Sequence, residues 1–190
     1  MKRTLLAAAL FAASAAHAAF TGGFAPANWT QTPGTGLVNS FSTTDLSMSS
    51  GNSGSNNPSN TDVTIALLGG GTVSFNWDYT TSDSGPPLFD PFSVLNPSPS
   101  SLQLTIDLGA NTQNGTYSFI ANAGDVIGFR IRTVDNLFGS ATVRISNFNF
   151  APGDPAPNPA PEPGGVALMA AALLAGLAAR RRLKGAGATA

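Results

Sequence analysis

The chain has no cysteine, which excludes disulfides, thiolate catalysis and cysteine-ligated metal, and leaves the fold to be held by its hydrophobic core alone. Other reactive side chains are almost as scarce. The only histidine is His17, the lysines are Lys2 and Lys184, and the one glutamate is Glu162. All of these lie near the two ends. Residues 19–160 therefore offer no imidazole, thiol or side-chain amine, which excludes a His-assisted serine hydrolase, Schiff-base chemistry, His-ligated zinc and a lysine-derived isopeptide crosslink. Two-carboxylate glycoside hydrolysis survives on composition, but the spacing of Asp78, Asp83 and Asp90 picks out no acid with its partner. The composition therefore predicts a protein that is not an enzyme.

Charge is sparse, at 10% of residues. Between residues 19 and 163 three arginines, Arg130, Arg132 and Arg144, face ten acidic groups, for a net charge of −7. An acidic, lysine-free surface argues against nucleic acid and anionic lipid as partners.

The ends carry what the middle lacks. Lys2 and Arg3 precede an apolar run at residues 5–16, and Ala16-His17-Ala18 is a small-x-small site. This pattern predicts a secretory signal peptide, residues 1–18, cleaved after Ala18. At the other end Pro161-Glu162-Pro163-Gly164 opens an apolar segment, residues 164–179, followed by Arg180, Arg181, Arg182 and Lys184. Residues 166–179 are all Ala, Leu, Val, Met or Gly, so a helix there has no polar face and is predicted to cross a membrane. Its 16 residues reach about 24 Å at ~1.5 Å per residue, short of a hydrocarbon core of about 30 Å. Leu183 and the snorkelling arginine stems extend the span. The basic cluster, residues 180–184, marks the cytoplasmic side, which makes residues 185–190 a cytoplasmic tail and puts everything before Pro161 outside.

These three parts, in this order, resemble the PEP-CTERM sorting signal of Gram-negative bacteria, a segment also labelled ice-binding protein C-terminal domain. The resemblance covers residues 161–184, and that second label carries no evidence of ice binding here. It implies recognition by exosortase, a membrane transpeptidase-like enzyme, anchoring in the inner membrane during transit, and delivery to the cell surface or the extracellular polymer matrix. The extension at residues 185–190 is longer than usual for the family.

Between the signals lies one domain, residues 19–150, with a Pro-rich linker at residues 151–160. Phe24 and Trp29 predict a first strand, and Leu37, Val38, Phe41, Leu46 and Met48 one or two more. Residues 49–60 read as a loop, with hydroxyls open to glycans. Apolar residues then alternate strictly with polar ones: Val63, Ile65, Leu67; Val73, Phe75, Trp77, Tyr79; Leu102, Leu104, Ile106, Leu108; Tyr117, Phe119; Ile127, Phe129, Ile131; Ala141, Val143, Ile145, with Phe148 and Phe150 following after a shift of face. Short strands separated by turn signals, with no helical period, predict an all-β fold, an antiparallel β-sandwich or jelly roll. The domain also resembles the β-rich domains found on PEP-CTERM proteins, in residues 73–79, 83–90 and 123–139.

Two side-chain groups stand out. Asp83, Asp90, Asp125 and Asp135 fall in or near loops and are candidate calcium ligands, against the plainer reading that each caps its own turn. If residues 127–133 and 141–147 pair as a hairpin, Arg130 faces Arg144, with Arg132 two residues along. Like charges opposite one another destabilise a sheet, so either acidic neighbours such as Asp78 and Asp107 separate them, the favoured reading, or the face takes an anion or glycan. The expected function is that of a non-enzymatic exported surface or matrix protein in contact with extracellular polysaccharide. The alternatives are a carbohydrate-binding module, for which alternation already turns Trp77 and Tyr79 inward, and a permanently anchored membrane protein.

Overall fold

The computed structural model describes residues 17–96 and 100–153, which belong to a compact unit ending at Gly153. Eleven strands are present among them: β1 (His17–Ala18), β2 (Thr30–Thr32), β3 (Leu37–Phe41), β4 (Asp45–Ser49), β5 (Ser59–Ala66), β6 (Gly71–Thr81), β7 (Phe92–Leu95), β8 (Ser101–Gln103), β9 (Thr112–Ala121), β10 (Val126–Thr133) and β11 (Ala141–Pro152). They form two antiparallel sheets, one ordered β3-β4-β11-β6-β9 with β1 also on β11, the other β2-β5-β10-β7-β8. From β5 onward the chain passes repeatedly between the sheets, the habit of a jelly roll. Ala16, Pro161, Glu162, Pro163, Gly164, the apolar segment 164–179 and the basic cluster lie outside the described residues. Among the described residues no helix is long and apolar enough to cross a membrane. Ala18 is described, and pairs with Asn149.

Alternation explains the core. Thr61, Val63 and Ile65 of β5 are buried, as are alternate residues of β6 from Gly71 to Thr81, while their neighbours face outward. The two inner faces meet through aromatic rings. Phe129 of β10 sits 4.9 Å from Phe75 of β6, edge to face, and Trp29 stacks on Phe129 at 5.9 Å. Trp77 meets Phe92 across the layers at 5.7 Å. Edge-to-face contacts add roughly 0.5–1.5 kcal/mol each beyond the area they bury.

Three local expectations are corrected. Phe24 and Trp29 do not make a strand; Phe24 ends the first of two 3₁₀ turns, Gly22–Phe24 and Pro26–Asn28, and Trp29 follows the second, its indole N–H donating to the Phe24 carbonyl at 2.9 Å. Pro26 favours this tight turn, and both rings close one end of the core. Second, the alternation of Leu102, Leu104, Ile106 and Leu108 yields only the short edge strand β8. Ile106 is 70% and Leu108 79% exposed. The Gln113 side chain takes the place of a strand partner there, accepting from the Ile106 N–H at 2.7 Å and donating to its carbonyl at 3.0 Å. Third, the loop expected through residue 60 ends earlier, because β5 begins at Ser59. The shift after Ile145 is present as a bulge between Ser146 and Asn149, with Asn147 at φ 50°, and it returns Phe148 and Phe150 to the core.

Phe129→Ala therefore destabilises the fold by about 3–5 kcal/mol, while Leu108→Ala stays within about 0.5 kcal/mol. Denaturant unfolding of both variants checks this.

Candidate functional site

The hairpin that placed Arg130 opposite Arg144 does not form. Both neighbours of β10 are taken by β5 and β7, and both neighbours of β11 by β4 and β6, so the two arginines belong to different sheets. Each meets an aspartate instead. Arg130 donates to Asp62 through Nε at 2.7 Å and Nη2 at 2.6 Å, a bidentate pair made by directly opposed residues of β10 and β5. Arg144 donates to Asp45 at 2.8 Å on the far sheet, where its hydrogen bond holds the Asp45 carboxyl below the usual carboxylate range. The arginines therefore have no like charge to be shielded from, and the acids that pair with them are Asp62 and Asp45, with the charge of Asp78 adding to that of Asp45 at Arg144. Asp78 lies directly across from Arg144 without a salt bridge to it, and Asp107 instead accepts from Gln103. Both Asp62 and Arg130 sit on outward positions of alternating strands, the one signal by which sequence could have paired them.

Arg132 makes no salt bridge among the described residues and is exposed. It borders a groove of ≈ 530 Å³ on the outer face of the five-stranded sheet, together with Arg130, Ser93, Gln103, Ser101 and Asn60. Register explains the arrangement. Asp62, Arg130, Ser93 and Gln103 are consecutive cross-strand partners through β5, β10, β7 and β8, so their side chains form one polar row. At about 4.8 Å per strand the row runs about 14 Å. Donors and acceptors at that spacing suit a hydroxyl-rich, extended ligand. No aromatic residue lines the groove, and Trp29, Trp77 and Tyr79 are all buried in the core. Ser93, Gln103, Ser101 and Asn60 escaped sequence reading because polar strand residues carry no local mark of which outward positions adjoin.

The four aspartates do not form one group. Asp125 and Asp135 lie beyond opposite ends of β10. Asp125 caps the β9–β10 turn, accepting from the Asn122 N–H at 2.7 Å, as the plainer reading had it. At the other end, residues 82–91 pack against residues 133–140 through Val134 N–H to the Phe89 carbonyl at 2.8 Å and Ser82 N–H to the Ser140 carbonyl at 3.0 Å. Gly139 permits this contact: its φ is 136°, and a Cβ there would lie 2.6 Å from the Asp83 nitrogen. Asn136, missed in the sequence, is buried in this junction and links it to Thr35 and Asn57.

Asp83, Asp90 and Asp135 belong to that end. Asp83 Oδ1 accepts from Gly85 N–H at 2.6 Å and Asp135 Oδ1 from Leu137 N–H at 3.0 Å. No donor meets the Asp90 carboxyl in ordinary hydrogen-bond geometry, although the Ser50 and Thr133 hydroxyls lie near it and Tyr79 Oη donates to its backbone carbonyl at 3.1 Å. Burial pushes Asp90 up to about 6, reinforced by the charges of Asp83 and Asp135 and opposed by the hydroxyls of Ser50 and Thr133. Burial likewise raises Tyr79, with Asp90 and Asp83 adding to it and the Thr81 hydroxyl opposing. Among the described residues no three acidic or imidazole groups converge as a ready-made metal centre.

No protein-family model matches the chain, and no curated protein sequence does. Solved structures with a similar backbone include the N-terminal cellulose-binding domain of a Cellulomonas fimi β-1,4-glucanase C, with 16% identity, TM-score 0.37, and coverage of 69% of this chain and 92% of that one. A family 16 carbohydrate-binding module shares 11% identity at TM-score 0.36, over 63% of this chain and 85% of its own. CBM35 from Paenibacillus barcinonensis shares 13% at 0.32, over 74% and 100%. At such scores the likeness carries no argument about what this chain binds.

Asp90 also sets a pH dependence. Its folded value of about 6 exceeds the unfolded value of about 3.9, so its contribution to stability is complete below about pH 4 and is lost as pH rises through about 6. In EDTA, stability from denaturant unfolding falls by on the order of 2 kcal/mol between pH 4 and 7.5, and Asp90→Asn removes this component. An unchanged pH profile in Asp90→Asn contradicts it.

Proposed function

We propose that this chain is a non-enzymatic exported protein of the cell surface or extracellular matrix, and that its β-sandwich holds polysaccharide along the outer face of the five-stranded sheet. The polar row ending in the groove beside Arg132 carries the reading. Composition supports the absence of catalysis, since residues 19–160 contain no histidine, cysteine, lysine or glutamate. The PEP-CTERM resemblance supports the location: an exosortase-type enzyme receives Pro161-Glu162-Pro163-Gly164, and the apolar segment with its basic cluster holds the chain in the inner membrane until then.

The groove's chemistry narrows the ligand. A net charge of −7 over residues 19–163 disfavours a polyanion. Asp62 already neutralises Arg130, so Arg132 and the Gln103, Ser93 and Ser101 side chains act as hydrogen-bonding partners for sugar hydroxyls. With no aromatic face to stack a sugar ring, each site binds weakly, and retention in a matrix comes from many copies acting together.

Affinity electrophoresis of the full-length chain through gels containing soluble neutral glucans, mannans or galactans tests the reading. At least one polymer class retards the protein, and Arg132→Ala combined with Gln103→Ala weakens that retardation at least tenfold. Arg144→Ala, on the other sheet, changes it less than twofold. No retardation by any polymer, or equal loss in Arg144→Ala, contradicts it.

A further inference from the structure

Among the described residues, the buried side-chain oxygens and nitrogens without a hydrogen-bond partner number three: Asp83 Oδ2, Asp90 Oδ1 and Asp90 Oδ2. All three lie on the single segment between β6 and β7, in residues that are 5% and 1% exposed. A buried carboxylate that has no counter-ion and keeps an unpartnered oxygen is costly for a fold to hold. Here two of them act on each other, and Asp135 adds a third negative charge. Among the described residues neither carboxylate takes part in a salt bridge, since those present join Arg130 to Asp62 and Arg144 to Asp45. The junction around them is otherwise well satisfied, from Tyr79 Oη to the Asn136 amide.

The geometry points to a hard divalent cation, calcium, bound between the Asp83 and Asp90 carboxylates at the junction of residues 82–91 and 133–140. Two carboxylates balance its charge. The Ser50 and Thr133 hydroxyls beside Asp90 supply neutral oxygen, and Asp135 deepens the negative field while its own Oδ1 stays with Leu137. Only oxygen is on offer, which selects against zinc and copper. Calcium tolerates a mixed, irregular oxygen set, whereas magnesium demands near-octahedral geometry and keeps several of its waters, which a buried site cannot house. Two buried carboxylates with unpartnered oxygens are fewer than a cluster of three, so neutral oxygens must complete the coordination. Asp125, beyond the opposite end of β10, takes no part. The inference stands apart from the polysaccharide reading.

The test uses the full-length chain, stripped with EDTA and freed of chelator at pH 7.5, and follows thermal unfolding and calorimetric titration with CaCl₂ or MgCl₂. One equivalent of calcium binds, and 1 mM calcium raises the Tm by about 5 °C or more. Asp83→Asn and Asp90→Asn each abolish the rise. Because Asn keeps the shape of Asp and removes the buried charge, both variants remain foldable and their calcium response can be read. The absence of both binding heat and Tm shift in the wild-type chain overturns the inference. So does an undiminished rise in both variants, and an equal rise with magnesium overturns the assignment to calcium.

Discussion

Contact between the two inner faces at Phe129 is the interaction on which the rest of the structure depends. With no cysteine to form a disulfide, and only short 3₁₀ turns as helix among the described residues, the sheets are held together by what their buried faces exclude from water. Phe129 reaches Phe75 and Phe148 of the opposite sheet, and Trp29 closes over it from the N-terminal turns. Each strand must therefore spend alternate residues on the core, which forces the remaining residues outward in register. The polar row of the five-stranded sheet is the outward consequence of that inward demand.

The same constraint separates the charged groups. Because β10 and β11 face one another across the core rather than side by side, Arg130 and Arg144 never meet, and each finds an aspartate on a neighbouring strand of its own sheet. Arg132 is left without an acid partner beside the groove. At the end of the sandwich, loops cannot satisfy every carboxylate they bury, and the unused oxygens gather on Asp83 and Asp90.

How much of this was legible varied with the length of the interaction. The alternation of Val73, Phe75, Trp77 and Tyr79 assigned the inner face of β6 correctly, since burial on one face leaves a period of two in the sequence. The change of phase before Phe148 similarly announced the bulge. The same rule misled at Ile106 and Leu108, where the Gln113 amide ties off a turn and both side chains stay exposed. Which strands neighbour one another was not legible, because sequence adjacency favours a β10–β11 hairpin and the layered packing refuses it. Asp83 and Asp90 were marked as candidate ligands by residue type alone; their burial, and the departure of Asp125 to the far end, depend on three-dimensional placement.

An acidic sandwich with an outward groove has a role in a matrix only if the chain reaches it, so the most direct measurement is the intact mass and C-terminal peptide of the protein in the membrane and matrix fractions of its native cells. The account predicts a matrix form that ends near Glu162. Recovery of residues 180–184 still attached, and in the membrane fraction alone, would contradict it and make the chain a permanent membrane protein.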